Sequence, residues 1–507
     1  MRTKYTIINA IVNIGGQFLT MLLNFIGRMV FIRYLSAAYL GVNGLFTDIL
    51  SILNFAELGI GTAMIYSMYE PAAHNDEQKL ARLMNLYKWM YRAVAASVLL
   101  FGLILLPFLP VLIKGGEGIE HIRLIYMMYV INSASSYLMN YKNSIYQAYQ
   151  KSYVRATWAL VFDVIRVAGQ IVVLILTRNF ILYLLVQLVA QFMPNIIISV
   201  KADREYPYLK HCRELPDKEE RSGILKNIGA MSIHKLATVI VNNTDSLLMS
   251  SFIGLTAVGI YSNYRMVIIN VQNIIVKLLS AFTGSVGNLS ASEEPAKVYR
   301  IYREMDFMFF VLNAYFAAGM FILINPFIAI FFGGQYCFST VTVALIITSF
   351  FITGLRRVNL IFREGMGLFW NDRYKAVAES IINLVVSLLL VKPFGIAGIV
   401  GGTIVSTVTT CAWIEPYVLM KHGIKEEWQA RLRRYFAEYA EHCALTAAIS
   451  AAGWYAASRF PIDHIGKFLA AGVLYTVVFA AVIMLCYRKT EEYSSLKARC
   501  LALVRRK

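Results

Sequence analysis

NNTDSLLMSSFIGLTAVGIYSNYR, residues 242–265, sets a carboxylate, Asp245, inside one apolar run and a guanidinium, Arg265, inside the next. An isolated charge is costly to bury unless it meets a partner or water. The medium around these runs therefore decides how the stretch is read. The chain has 507 residues, of which 58% are hydrophobic and 15% charged. Its mean hydropathy is +0.58, and soluble domains are rarely so apolar.

Working outward from residues 242–265, apolar runs long enough to cross about 30 Å of hydrocarbon as helices recur along the chain. The reading is an all-α polytopic membrane protein of about fourteen spans. They cover roughly 8–34, 39–66, 88–113, 121–148, 155–177, 179–200, 226–252, 255–283, 304–330, 338–362, 374–392, 395–420, 435–458 and 465–487. Most Lys and Arg outside the spans precede the odd-numbered ones or lie in the tail. The opposite loops hold Lys114, Arg178, Lys392, Arg459 and little else. The positive-inside rule then places both termini in the cytoplasm.

The net charge of +18 follows the same asymmetry, as an anionic inner leaflet requires. With no aromatic-rich soluble domain to hold bases, nucleic acid is not an expected partner. The first run, interrupted by Asn13 and Gln17, reads as a retained span, not a signal peptide. The six cysteines show no CxxC spacing and the histidines no ligand pair, so neither a disulfide framework nor a metal site is expected.

The polar segment 201–226 divides the chain after the sixth span. The expected organisation is an N-lobe over 1–222, a C-lobe over 223–425 and a C-terminal helix pair with a basic tail over 426–507. NIGG at 13–16 beside NIGA at 227–230 is a weak internal likeness, which fits parallel repeats.

At 100° per residue, the polar residues inside the spans fall into stripes. Asn13, Gln17, Thr20, Asn24 and Arg28 lie within about 80° of arc on the first span by that geometry. Asn43, Thr47, Asn54 and Glu57 align on the second, and Asn132, Ser136, Asn140, Asn143 and Gln147 on the fourth. Asp163, Arg166 and Gln170 align on the fifth, His234, Thr238, Asn242 and Asp245 on the seventh, and Ser262, Arg265 and Gln272 on the eighth. A charge at the bilayer centre costs about 2.5 to 3.5 kcal/mol on insertion scales. The economical arrangement turns the stripes toward a shared hydrated cavity. The plainer reading is interhelical hydrogen-bonding glue. Asp163 and Arg166, three residues apart, are expected to neutralise one another. Arg33, Arg356, Arg357 and Arg363 lie near span ends, where long side chains snorkel.

Residues 242–267, together with FAELGIGTAM (55–64), YKNSIYQAYQKSYVRA (141–156) and the long block at 367–407, resemble the bacterial polysaccharide transport proteins. These are the O-unit flippases of the multidrug/oligosaccharidyl-lipid/polysaccharide exporter superfamily. The resemblance implies two six-helix lobes in a V, moving undecaprenyl-diphosphate-linked oligosaccharide outward across the bacterial inner membrane by alternating access. It also implies polysaccharide polymerase and export machinery as partners. Related lipid II flippases hold a pyrophosphate with arginines on spans 1 and 8, and Arg28 and Arg265 occupy comparable places. Lys235 and Lys277 are weaker candidates for the same role.

Asn24, Asn54, Asn140, Asn242 and Gln272 are the polar groups suited to sugar hydroxyls. Asp245 and Glu57 suit a coupling ion, H⁺ or Na⁺, better than a diphosphate. No cofactor is expected. No nucleophile with a paired base and no phosphate-cradling glycine loop is present in the sequence, so an enzyme is not expected. The rivals are a lipid II flippase and an ion-coupled multidrug antiporter of the same superfamily.

Overall fold

The computed structural model describes residues 2–57, 59–115, 119–212 and 214–505. Among them the chain is helical, with no strand. The first helices are α1 (Arg2–Tyr34), α2 (Ala37–Leu53), α3 (Ile60–Ala73), α4 (Glu77–Leu105), α5 (Ile122–Asn140), α6 (Asn143–Ala148), α7 (Ser152–Thr177) and α8 (Phe180–Glu205). After them come α9 (Lys218–Leu248), α10 (Leu255–Ser292), α11 (Pro295–Phe331), α12 (Thr340–Leu355), α13 (Arg357–Gly365) and α14 (Lys375–Phe394). The chain ends with α15 (Ile396–Ser406), α16 (Ala412–Val418), α17 (Trp428–Arg459), α18 (Ile465–Tyr487) and α19 (Glu491–Arg505).

Each expected span lies largely in helix among the described residues. Nine helices among the described residues are long and apolar enough to cross a membrane, among them Gly15–Tyr34, Ser152–Thr177, Phe180–Glu205 and Pro295–Phe331. Others, such as α5 with its run of Asn and Ser, are too polar to meet that measure.

Local chemistry sets the helix ends. The Asp76 carboxylate accepts from the Lys79 amide at the start of α4, and Asn179 accepts from Ile181 and Leu182 at the start of α8. Ser339 does the same for Thr342 at the start of α12. Each cap satisfies backbone donors that the first helical turn leaves open. The second expected span is not one continuous helix. After α2 the chain tightens into a 3₁₀ turn, Asn54–Glu57, and Gly59 adopts φ +93° before α3 begins. That backbone region strains any side chain and suits glycine.

Two compact units emerge, Met1–Gly259 and Ile260–Lys507. The first includes α9 and the opening residues of α10. The reason is a stitched junction: the Lys114 amide donates to the Ser250 carbonyl, Leu255 donates to the Lys114 carbonyl, and the Ser250 hydroxyl donates to the Leu112 carbonyl at 2.7 Å. α2 then packs against α10 backbone to backbone. A Cβ on Gly41 would collide with the Leu255 carbonyl, and one on Gly259 with the Ala37 carbonyl. Small residues permit this close approach of membrane helices.

The second unit is organised around α11, whose Phe309, Phe310, Ala314, Ala317 and Ala318 are buried. Buried polar threads tie its neighbours to it. Tyr302 donates to Asn359, which donates to Tyr435, and Asn313 donates to the Phe351 carbonyl. α14 and α15 form a tight hairpin in which Gly402 lies against Ser387.

Gly41→Ala and Gly259→Ala are expected to destabilise the folded protein by about 1–3 kcal/mol or more, the range for overpacked sites. Gly472→Ala, on α18 with open space around it, is expected to be neutral or stabilising. Thermal midpoints in detergent check the contrast.

Candidate functional site

The first unit carries a polar seam through its membrane-crossing helices. Thr20 on α1 donates to Asp163 on α7 at 3.4 Å. Arg166 donates to Asp163 at 3.1 Å, to Asn24 at 3.0 Å and to Gln170 at 3.2 Å. Arg28, one turn beyond Asn24, is half-buried within electrostatic range of the Tyr183 hydroxyl, as is Arg166. The stripes on the first and fifth spans thus face each other, and Asp163 and Arg166 form the expected pair.

Beside this seam lies a cavity of about 440 Å³ among α5, α7 and α8. Its polar wall consists of Ser136, Asn140, Arg155, Asp163, Arg166 and the carboxamides Gln187, Gln191 and Asn195. Arg155 is exposed and makes no ion pair among the described residues. With Asp163 and Arg166 neutralising each other, the cavity carries one net positive charge.

Glu57 occupies a separate position at the α2–α3 break. Its carboxylate accepts from the Tyr91 hydroxyl at 2.9 Å and from Tyr137 at 3.3 Å, and Tyr91 accepts in turn from Tyr87. Asn54, one turn earlier, accepts from Ser133 at 3.0 Å. A carboxylate at a helix interruption, held among the described residues by neutral hydroxyl donors, is chemically able to take up a cation.

The structure places the other expected residues as follows. Arg265 and Gln272 are half-buried on α10 and Lys277 on the same helix is exposed. Asp245 is half-buried near the end of α9. The side chains of Lys235 and Asn242 lie outside the described residues.

The second unit holds a sealed ion network. Glu415, 1% exposed, accepts from Arg356 Nη2 at 2.7 Å, from Arg356 Nε at 3.0 Å and from Lys375 at 2.6 Å. Arg356 also reaches Glu379 at 3.1 Å, and Asp372 bridges Lys375 and Arg363. Here the expected snorkelling of Arg356 and Arg363 is corrected. Both turn inward, because Glu379 on α14 and Glu415 on α16 lie within reach of Arg356, and Asp372 just before α14 within reach of Arg363, and satisfy the guanidinium better than a distant headgroup layer does. π-helical turns at Thr407–Cys411 and Leu419–Ile424 flank α16 on both sides. Two cavities of this unit are largely apolar: one of about 450 Å³ beside Phe321, Phe351 and Trp454, and one of about 220 Å³ beside Tyr315, Phe327 and Phe468.

Residues 7–283 match the family described as polysaccharide biosynthesis protein. The chain belongs to that family. The matched region is more than half of the chain and contains the whole polar seam, the cavity and the Glu57 site. No curated protein sequence matches this family member.

Several solved structures share its fold. An inward-facing multidrug resistance MATE family transporter of the MOP superfamily aligns at 15% identity, covering 80% of this chain and 96% of its own, with a TM-score of 0.61. The lipid II flippase MurJ in an inward closed conformation aligns at 11% identity over 95% of this chain and 100% of its own, with a TM-score of 0.59. A Vibrio cholerae MATE transporter aligns at 13% identity over 84% and 99%, with a TM-score of 0.55. The chain shares the fold of these transporters.

Sequence reasoning missed Gln187, Gln191 and Asn195, although their spacing of four places them on one face of α8. It also missed Tyr91 and Tyr137, which the fold sets against Glu57.

Removing one member of the sealed network leaves an uncompensated buried charge. Glu415→Gln and Arg356→Met are each expected to cost about 3–5 kcal/mol. The double variant Arg356→Met/Glu415→Met is expected to recover part of that loss, read as thermal midpoints against the single variants.

Proposed function

We propose that this protein is a flippase of the bacterial inner membrane, with both termini cytoplasmic. It moves undecaprenyl-diphosphate-linked oligosaccharide repeat units from the inner to the outer leaflet by alternating access. Membership of the polysaccharide biosynthesis family and the MOP-superfamily fold support a membrane transporter of this kind. The observation that carries the reading is the cationic polar cavity set among membrane-crossing helices, beside the seam that bears Arg28.

The physical task is to take a diphosphate and its sugars through hydrocarbon. Guanidinium groups replace water around phosphate because they stay charged and present two donors at once. Arg28 and Arg265 are the leading diphosphate contacts, with Lys235 and Lys277 secondary. Asn24, Asn54, Asn140, Asn242 and Gln272 meet sugar hydroxyls. The prenyl tail stays in lipid. Glu57 and Asp245 carry the coupling ion, H⁺ or Na⁺, and the tyrosine hydroxyls around Glu57 support its share of that role. The polymerase and export machinery of the polysaccharide are the natural downstream partners.

The test is transport of a fluorescent undecaprenyl-diphosphate oligosaccharide in proteoliposomes. Wild type is expected to move it, and Arg28→Ala and Arg265→Ala to slow it by about tenfold or more, since a charged hydrogen bond contributes about 1.5–3 kcal/mol. Export of an organic cation in place of the lipid would instead identify a multidrug antiporter. Glu57→Gln is expected to retain lipid binding and lose the stimulation of transport by an imposed ion gradient. Unchanged gradient dependence in both Glu57→Gln and Asp245→Asn would remove the coupling assignment.

A further inference from the structure

The carboxamides around the first-unit cavity share one orientation. Asn140 accepts through its side-chain oxygen from Asn143 at 2.5 Å, and Asn195 accepts from the same group at 3.4 Å. Gln191 accepts from Asn132 at 2.9 Å, and Gln187 from Gln170 at 3.5 Å. The donors in these four bonds, Asn143, Asn132 and Gln170, do not line the cavity, and Asn143 and Gln170 are 2% and 3% exposed. A second layer therefore ties back every carboxamide oxygen of the wall. Asn195 spends its amide on the Gln191 carbonyl, while the amide groups of Asn140, Gln187 and Gln191 have no protein acceptor among the described residues. With the Arg155 guanidinium, the cavity presents N–H donors in excess of acceptors.

Such a layered arrangement is expensive in a membrane protein if it serves only to hold helices together, because apolar side chains would fill the same space without unmet donors. A supporting layer that fixes the rotamers of a first layer is the construction of a preorganised binding site. Its volume lies within the range of small-molecule sites, about 300–1,000 Å³. Phe162 and Pro194 supply apolar wall on the same cavity, suited to the C–H face of a sugar ring.

We propose that this cavity is a glycan subsite for one acceptor-rich sugar of the lipid-linked repeat unit, one bearing a carbonyl or carboxylate substituent. Asn140, Gln187 and Gln191 donate to that substituent and to neighbouring ring oxygens, and Arg155 meets it at the rim. The assignment rests on the flippase reading above and gives it a preference among glycans.

Binding to the full-length protein in nanodiscs tests it with four probes: undecaprenyl diphosphate, and the same lipid carrying glucose, N-acetylglucosamine or glucuronic acid. Wild type is expected to bind the acetamido or carboxylate sugar about five- to tenfold more tightly than the glucosyl lipid, the worth of roughly one hydrogen bond. Gln191→Leu is expected to erase that preference and to leave bare undecaprenyl diphosphate bound as before. Arg155→Met, at an exposed position that does not threaten folding, is expected to reduce the glucuronyl preference most.

Equal affinity of wild type for bare and glycosylated lipids would overturn the sugar subsite and leave the flippase reading standing. A parallel loss of bare and glycosylated lipid in Gln191→Leu, with its thermal midpoint unchanged, would make the cavity the diphosphate site and overturn it as well. Failure of wild type to bind any of the four lipids would remove the flippase reading and the subsite together.

Discussion

A polar group that would otherwise face hydrocarbon has to find its partner within the protein, and this constraint organises the chain. Hydrocarbon offers no hydrogen bonds, so an Arg or Asn on a membrane-crossing helix commits a neighbouring helix to answer it. Arg166 is the centre of one such commitment. Its guanidinium engages Asp163 and Gln170 on its own helix and Asn24 on α1, so the packing of α1 on α7 is fixed by chemistry as well as by shape. The close backbone contacts at Gly41 and Gly259 serve the same end by another route: they bring α2 and α10 near enough to need no side chains between them.

The two units answer the constraint differently. In the second, Arg356, Arg363 and Lys375 meet Glu379, Glu415 and Asp372, so three positive and three negative groups cancel within a sealed region. Desolvating ions is costly, and such networks stabilise mainly by making wrong arrangements worse. The π-helical turns on either side of Glu415 are consistent with that view, since they rotate the helix locally and thereby set the direction of the carboxylate. In the first unit the balance is left open. Among the described residues Arg155 has no carboxylate to answer it, and the amide donors of the cavity wall outnumber its acceptors.

Helical periodicity made the membrane architecture and the α1 and α7 stripes legible in the sequence, because apolar length and the 100° step are one-dimensional properties. Asp163 and Arg166 could be paired on spacing alone. Glu415 with Arg356 could not: 59 residues separate them, and nothing local distinguishes an arginine that snorkels from one that turns inward. The break after Asn54 was only hinted at by the glycines at 59 and 61, since a 3₁₀ turn followed by a positive φ is a tertiary outcome. The carboxamide face of α8 was visible at spacing four, yet its meaning depends on Asn132, Asn143 and Gln170 standing behind it, which only the fold reveals.

That dependence bears on how polar stripes in membrane helices are to be read. Interhelical glue and a binding surface draw on the same residues, Asn, Gln and Ser, and each pair contributes little, about 0.6 kcal/mol on average. Direction separates them. Where Thr20 and Asn24 meet Asp163 and Arg166, donors and acceptors from the two helices consume one another, which is glue. Around the 440 Å³ cavity every carboxamide oxygen is consumed by a layer that does not line the space, while the amide donors of Asn140, Gln187 and Gln191 meet no acceptor among the described residues. A helix pair held by mutual hydrogen bonds gains nothing from that asymmetry. A wall built to meet acceptors on something else requires it.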